Sequence, residues 1–178
     1  MFIDKTETFI LNIGGLNKRK NRKQLLKLCR QINFCSALNY TITKYKHIYA
    51  LEITLPKQQL PFLISFLSFN NYTIYQVVKS SKAHTLIDSE QLPRASKRFE
   101  IYIDGLSDAF IKDKIIDIMN MLTTSESIAY TMSKNTLNVN CSVATFAQLI
   151  FQLATKNIDI FNAVYCPKVA SIRKEHIS

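Results

Sequence analysis

The chain repeats itself. Set FILNIGGLNKRKNRKQLLKLCRQI, from Phe9, against FEIYIDGLSDAFIKDKIIDIMNML, from Phe99, and the apolar residues coincide at a fixed offset of ninety positions. Phe9 meets Phe99, Leu11 meets Ile101, Ile13 meets Ile103, Gly15 meets Gly105 and Leu16 meets Leu106; Leu25, Leu26, Leu28, Cys29 and Ile32 then meet Ile115, Ile116, Ile118, Met119 and Leu122. LNYTITK from Leu38 meets IAYTMSK from Ile128 at the same offset. A shortening by two residues brings Tyr49, Leu51 and Ile53 onto Leu137, Val139 and Cys141. After one more small deletion LPFLISFLSFNNYTIYQVV meets FAQLIFQLATKNIDIFNAV, with Asn71 on Asn157. A duplication of this kind fixes the problem: whatever one half folds into, the other must fold into as well.

Within one copy the periodicity changes several times. Alternating apolar residues at Phe9, Leu11 and Ile13 predict a strand, and Leu25, Leu26, Leu28, Cys29 and Ile32 predict an amphipathic helix. Residues 36–44 and 47–55 alternate as two strands of a tight hairpin. Residues 57–70 follow as a second helix with Pro56 and Pro61 near its start, where proline is best tolerated, and residues 72–78 close the unit as a strand. The order βαββαβ is that of the ferredoxin-like split unit. The expectation is an α+β protein of two tandem ferredoxin-like domains, each a four-stranded antiparallel sheet with two helices on one face. Domain 1 takes residues 1–80, the polar stretch 81–97 is a linker, domain 2 takes residues 98–168, and 169–178 form a C-terminal tail. Phe62, Phe66, Phe69 and Tyr72 recur at helical spacing and read as core. Ile10, Ile48 and Ala50 fall on the sheet face away from the helices, so that face needs cover, from the other sheet or from a second chain.

Charge breaks the symmetry. Residues 1–82 carry thirteen Lys and Arg against three acids, residues 83–178 ten against ten, so the whole net charge of +10 lies in the first copy. Lys18 aligns with Asp108, Lys23 with Asp113 and Lys27 with Asp117: the apolar face is kept while the solvent face changes sign. Lys18, Arg19, Lys20, Arg22 and Lys23 crowd the start of the first helix, the positive end of its macrodipole, where each cation costs on the order of 0.3–1 kcal/mol unless something relieves it. With Lys27 and Arg30 these residues form the candidate binding face for an acidic protein surface. Self-association through Asp108, Asp113 and Asp117 of a neighbouring copy is one form of it. The alternative is a nucleic acid contacted through its phosphates by the same side chains.

The end of the first strand, LNIGGLN and IYIDGLS, resembles the corresponding stretch of the heavy-metal-associated domain of copper chaperones and metal-pumping ATPases, over residues 8–80 and 98–166. That resemblance implies the βαββαβ fold. The family's CxxC metal site is missing: Asn17 and Lys20 stand at those positions in copy one, Ser107 and Phe110 in copy two. A soft metal needs paired thiolates, so no metal is expected there. IYIDGL also resembles the first ribonucleoprotein motif of RNA-recognition domains, with Tyr102 at the stacking position, but Ile48 and Ala50 stand where strand three of that family carries its rings.

Other classes find little support in the sequence. His47, His84 and His176 have no Cys or Ser at catalytic spacing, and there is no glycine-rich phosphate loop, so neither a catalytic residue nor a cofactor is expected. Asp113 and Asp117 share a helix face with Lys112 and Lys114 close by, which reads as solvated surface. Cys29, Cys35, Cys141 and Cys166 read as reduced thiols of a cytoplasmic protein. No run of eighteen uncharged apolar residues occurs and the N-terminus lacks a secretory pattern, so no membrane partner is expected. The resulting expectation is a non-enzymatic adaptor or assembly protein.

Overall fold

The computed structural model describes residues 5–88 and 97–166. The first half runs β1 (Thr6–Ile13), α1 (Arg19–Cys29), β2 (Asn39–Tyr45), β3 (Ile48–Pro56), α2 (Leu60–Phe69) and β4 (Ile74–Lys79). The second runs β5 (Lys97–Ile103), α3 (Ala109–Leu122), β6 (Ala129–Ser133), β7 (Thr136–Cys141), α4 (Val143–Thr155) and β8 (Ile160–Cys166). The two halves therefore share one order of elements.

The structure corrects the expectation of separate four-stranded sheets. All eight strands form a single antiparallel sheet in the order β2-β3-β1-β4-β8-β5-β7-β6. β4 and β8, which would be open edges of two separate sheets, pair with each other, Val77 opposite Ala163. An apolar strand such as IYQVVK is a liability when left unpaired, and this junction removes two such edges at once. α2 and α4 pack together over the seam, where Ser65 Oγ donates to the Ala154 carbonyl at 3.0 Å. One continuous core results, running from Phe9, Leu25 and Leu63 to Phe99, Ile115 and Phe146.

Local rules repeat across the halves. Gly15 and Gly105 hold φ of +79° and +73° in the turn after the first strand of each half, a conformation L side chains rarely adopt. A Cβ on Gly15 would also lie 2.9 Å from Asn21 Nδ2. α2 and α4 end alike: Asn71 and Asn157 are left-handed, the Tyr72 N–H returns to the Leu67 carbonyl, and the Ile158 N–H returns to that of Leu153. This is the Schellman closure, in which asparagine replaces the usual glycine, and it explains why Asn71 and Asn157 match.

The segment expected as a linker is in its first part a piece of the fold. Residues Ser80–Thr85 form a short 3-10 helix, and Ala83 and Leu86 pack on Ile10, Ala50 and Val78. Ile10 and Ala50 lie away from the helices and are covered by this strap, while Ile48, expected on the same face, stays half-exposed in a hollow with Tyr45, Ala83 and Leu86. Asn12 and Gln76, each 1% exposed, anchor it. Asn12 Nδ2 donates to Gln76 Oε1 at 3.0 Å and to the Ile87 carbonyl at 2.7 Å. Gln76 Oε1 accepts the Ile87 N–H at 2.7 Å, and Gln76 Nε2 donates to the Thr85 carbonyl at 3.0 Å. Residues 89–96 of that segment and the tail 169–178 lie outside the described residues.

The aromatic expectation also needs correction. Phe66 and Tyr72 pack partly against the core, but Phe62 and Phe69 are 62% and 60% exposed. Phe62 instead meets Phe34, with ring centroids 6.4 Å apart, on the outer surface of the helix layer.

Candidate docking face on the first helix

α1 buries Leu25 and Cys29 and presents its other side to solvent. Lys18, Arg19, Lys20, Lys23, Lys27 and Arg30 are all exposed. Lys20, Lys23, Lys27 and Arg30 follow one another at three- or four-residue spacing and so form one outward ridge. Lys79 and Glu7 pair at 3.8 Å, well away from this helix in sequence.

Arg22 behaves differently from its neighbours. It is half-buried, and its Nη1 donates to the carbonyls of Leu16 and Asn17, both at 2.8 Å. Its guanidinium lies over the Tyr49 ring, 4.0 Å from the centroid, with Lys44 Nζ at 5.4 Å from the same ring. Asn21 Nδ2 likewise donates to the Gly15 carbonyl at 2.8 Å. Two side chains of the first turn thus tie the preceding loop to the helix. One cation of the cluster is thereby satisfied by carbonyl dipoles and a ring face. The sequence showed a uniform run of charge; the signal it did contain is Tyr49, an aromatic on the strand beside the helix.

Lys18 occupies the N-cap of α1 with no side-chain cap bond. In the second half Asp108 occupies the N-cap of α3 and its carboxylate accepts the N–H of Phe110 at 2.8 Å and of Ile111 at 3.3 Å. This cap is a stabilising device worth about 1 kcal/mol. It engages Asp108 within its own chain, while Asp113 and Asp117 stay exposed beside Lys112.

Between α1 and the sheet edge runs a groove of about 300 Å³. Leu26, Ile42 and Tyr49 give it an apolar floor, Arg19, Arg22 and Lys23 a basic rim, and Thr41 completes it. Thr41 pairs with Glu52 and Ile42 with Leu51, so the two point to opposite faces of β2 and the groove opens over that strand's outer edge.

Beside the loop before α1 a small hollow is lined by Leu16, Asn17, His47, Tyr49 and Asp88. His47 is exposed in the β2–β3 turn and His84 is exposed in the strap; His176 lies outside the described residues. Tyr102 stands edge-on to Phe161, with 6.1 Å between centroids. Burial pushes the Cys29 thiol up to about 11, and burial with the nearby Glu126 charge pushes Cys141 up to about 12. Glu126 accepts from the Ser142 N–H at 2.8 Å, from the Ser142 hydroxyl at 2.9 Å and from the Thr145 hydroxyl. Among the described residues no group of three or more His, Cys, Asp or Glu is placed to hold a metal ion, and no helix is long and apolar enough to cross a membrane. Compared with models of known protein families, with curated proteins and with solved structures, the chain matches none.

Proposed function

We propose that the chain is a non-enzymatic adaptor or assembly protein, made of two ferredoxin-like units fused edge to edge, that binds an acidic protein surface through α1. The element order of each half supports the ferredoxin-like reading, which the resemblance to the heavy-metal-associated domain also implies. The observation behind the docking role is the pairing of an apolar floor with a basic rim in the groove beside α1. A polyphosphate chain would need the rim alone; a protein segment uses both. The strongly placed polar groups serve structure: Arg22 ties a loop, Asp108 caps a helix, and Glu126 locks the start of α4.

The test compares the wild type with a Lys20→Glu, Lys23→Glu, Lys27→Glu variant, whose three changes are all exposed. In-cell crosslinking should give acidic proteins with the wild type and lose them with the variant. Purified wild type with a high 260/280 nm absorbance ratio that falls on a high-salt wash would refute the reading and assign the helix to nucleic acid. An unchanged partner set after charge reversal would refute it as well.

A further inference from the structure

β2 is an outer strand of the eight-stranded sheet, paired with β3 alone. Every second residue of such a strand aims its N–H and C=O outward, a template for one more strand. Natural edges are usually blunted by proline, by a bulge, by charge or by shortness. β2 reads NYTITKY over seven residues, with no proline, Lys44 as its sole charge, and an unbroken register against β3. The groove of Arg19, Lys23, Leu26, Ile42 and Tyr49 lies on the helix side of this same edge.

We infer that the acidic partner is taken as an extended segment, adding to the sheet as a ninth strand along β2. Its backbone would pair with the β2 edge. Its residues facing the helix layer would alternate with those facing away, so acids at every second position would reach Arg19 and Lys23 together. Arg22, held by the Leu16 and Asn17 carbonyls, keeps the groove wall rigid before the partner arrives. This places the recognition of charge in side chains and of conformation in the backbone. It rests on the proposed role of α1 as a docking face for acidic protein.

The opposite end of the sheet lacks this combination. β6 is also an outer strand, and the hollow beside it has an apolar part in Ala129, Tyr130 and Val139, but Arg98 is its single cation and no helix residue lines it. The two edges are therefore chemically distinct, although the halves share one element order.

The probe is a fluorescent, end-blocked peptide alternating glutamate with valine, about eight residues long to match an ordinary strand. Two further versions carry N-methyl groups on all glutamate amides or on all valine amides. In a strand these two sets lie on opposite edges, so strand addition predicts that one set weakens binding at least about tenfold and the other changes it little. Arg19→Glu with Lys23→Glu should abolish binding of the unmodified peptide, with the fold checked by circular dichroism. Binding that the two methylated peptides share equally would overturn strand addition and leave α1 as a docking face. No binding of the unmodified peptide, or binding indifferent to the charge reversal, would overturn the docking face itself. Oligomers of the protein alone that the peptide cannot dissolve would assign the edge to a second copy and overturn the proposal.

Discussion

Replacing Gln76 by leucine should loosen the strap on the sheet. The side chain is 1% exposed and makes three hydrogen bonds: from Asn12 Nδ2 at 3.0 Å, from the Ile87 N–H at 2.7 Å, and to the Thr85 carbonyl at 3.0 Å. Leucine has similar volume and no polar atom, so all three are lost without a large cavity. At a net contribution of about 1 kcal/mol per bond the loss is about 3 kcal/mol. Part of it is recovered where the Thr85 and Ile87 backbone reaches water. The Asn12 amide keeps its 2.7 Å bond to the Ile87 carbonyl, which limits the damage on that side. For a chain of this size about 3 kcal/mol corresponds to a fall in Tm of roughly 6–12 °C. Urea titration measures the stability change, and an unchanged slope would show that the unfolding surface is the same. Amide exchange at Ile87 reports the strap directly and should accelerate more than exchange in the core strands. A loss under about 1 kcal/mol with Ile87 still protected would mean that Ala83 and Leu86 hold the strap by packing alone, and the polar anchor would be refuted.

Two further outcomes follow from titratable groups held in the fold. Burial works to raise the Glu126 carboxyl, but the bonds from the Thr145 hydroxyl and from the Ser142 N–H and hydroxyl outweigh it and hold the group below the usual carboxylate range. Its contribution is therefore present above the unfolded carboxyl's pKa and is lost as pH falls through the lower folded value, so Glu126→Gln should flatten the acid limb of the stability curve below about pH 5; identical acid limbs would refute this. With Cys29 pushed up to about 11 and Cys141 to about 12, both buried, alkylation at pH 8 should label neither until the protein unfolds, whereas half-exposed Cys166 should react first; prompt labelling of Cys29 in the native protein, read by peptide mass, would contradict the packing.

Much of the element order was legible because it depends on period. Phe9, Leu11 and Ile13 alternate, Leu25 and Cys29 do not, and the same switch recurs ninety positions later. The joining of the halves was not legible. IYQVVK and IFNAVYC have the same alternation whether their outer edges face water or each other, because side-chain pattern reports faces and says nothing of edges. The strap escaped because SSKAHTLID is polar and short-range, and its hold on the sheet depends on Asn12 and Gln76, two amides in strands where a chain-by-chain reading sees only interruptions. Phe62 and Phe69 were misplaced because helical spacing identifies a stripe without saying which stripe turns inward. The basic cluster was legible as charge, but the division of labour within it was not. Only the fold brings Tyr49 beneath Arg22 and separates a structural arginine from the lysines around it.

The pairing of β4 with β8 has a consequence for synthesis. A ribosome completes β4 at Lys79 and must then make nearly all of the second half before Ile160–Cys166 emerges to cover it. Through that interval the nascent first half presents IYQVVK as an open strand, and α2 lacks the neighbour against which it packs. At elongation rates of about 5–20 residues per second the exposure lasts on the order of several seconds, long compared with hairpin formation. The growing chain is then at its most vulnerable to pairing with another copy on the same messenger. The last described strand is thus the one that makes the first half safe.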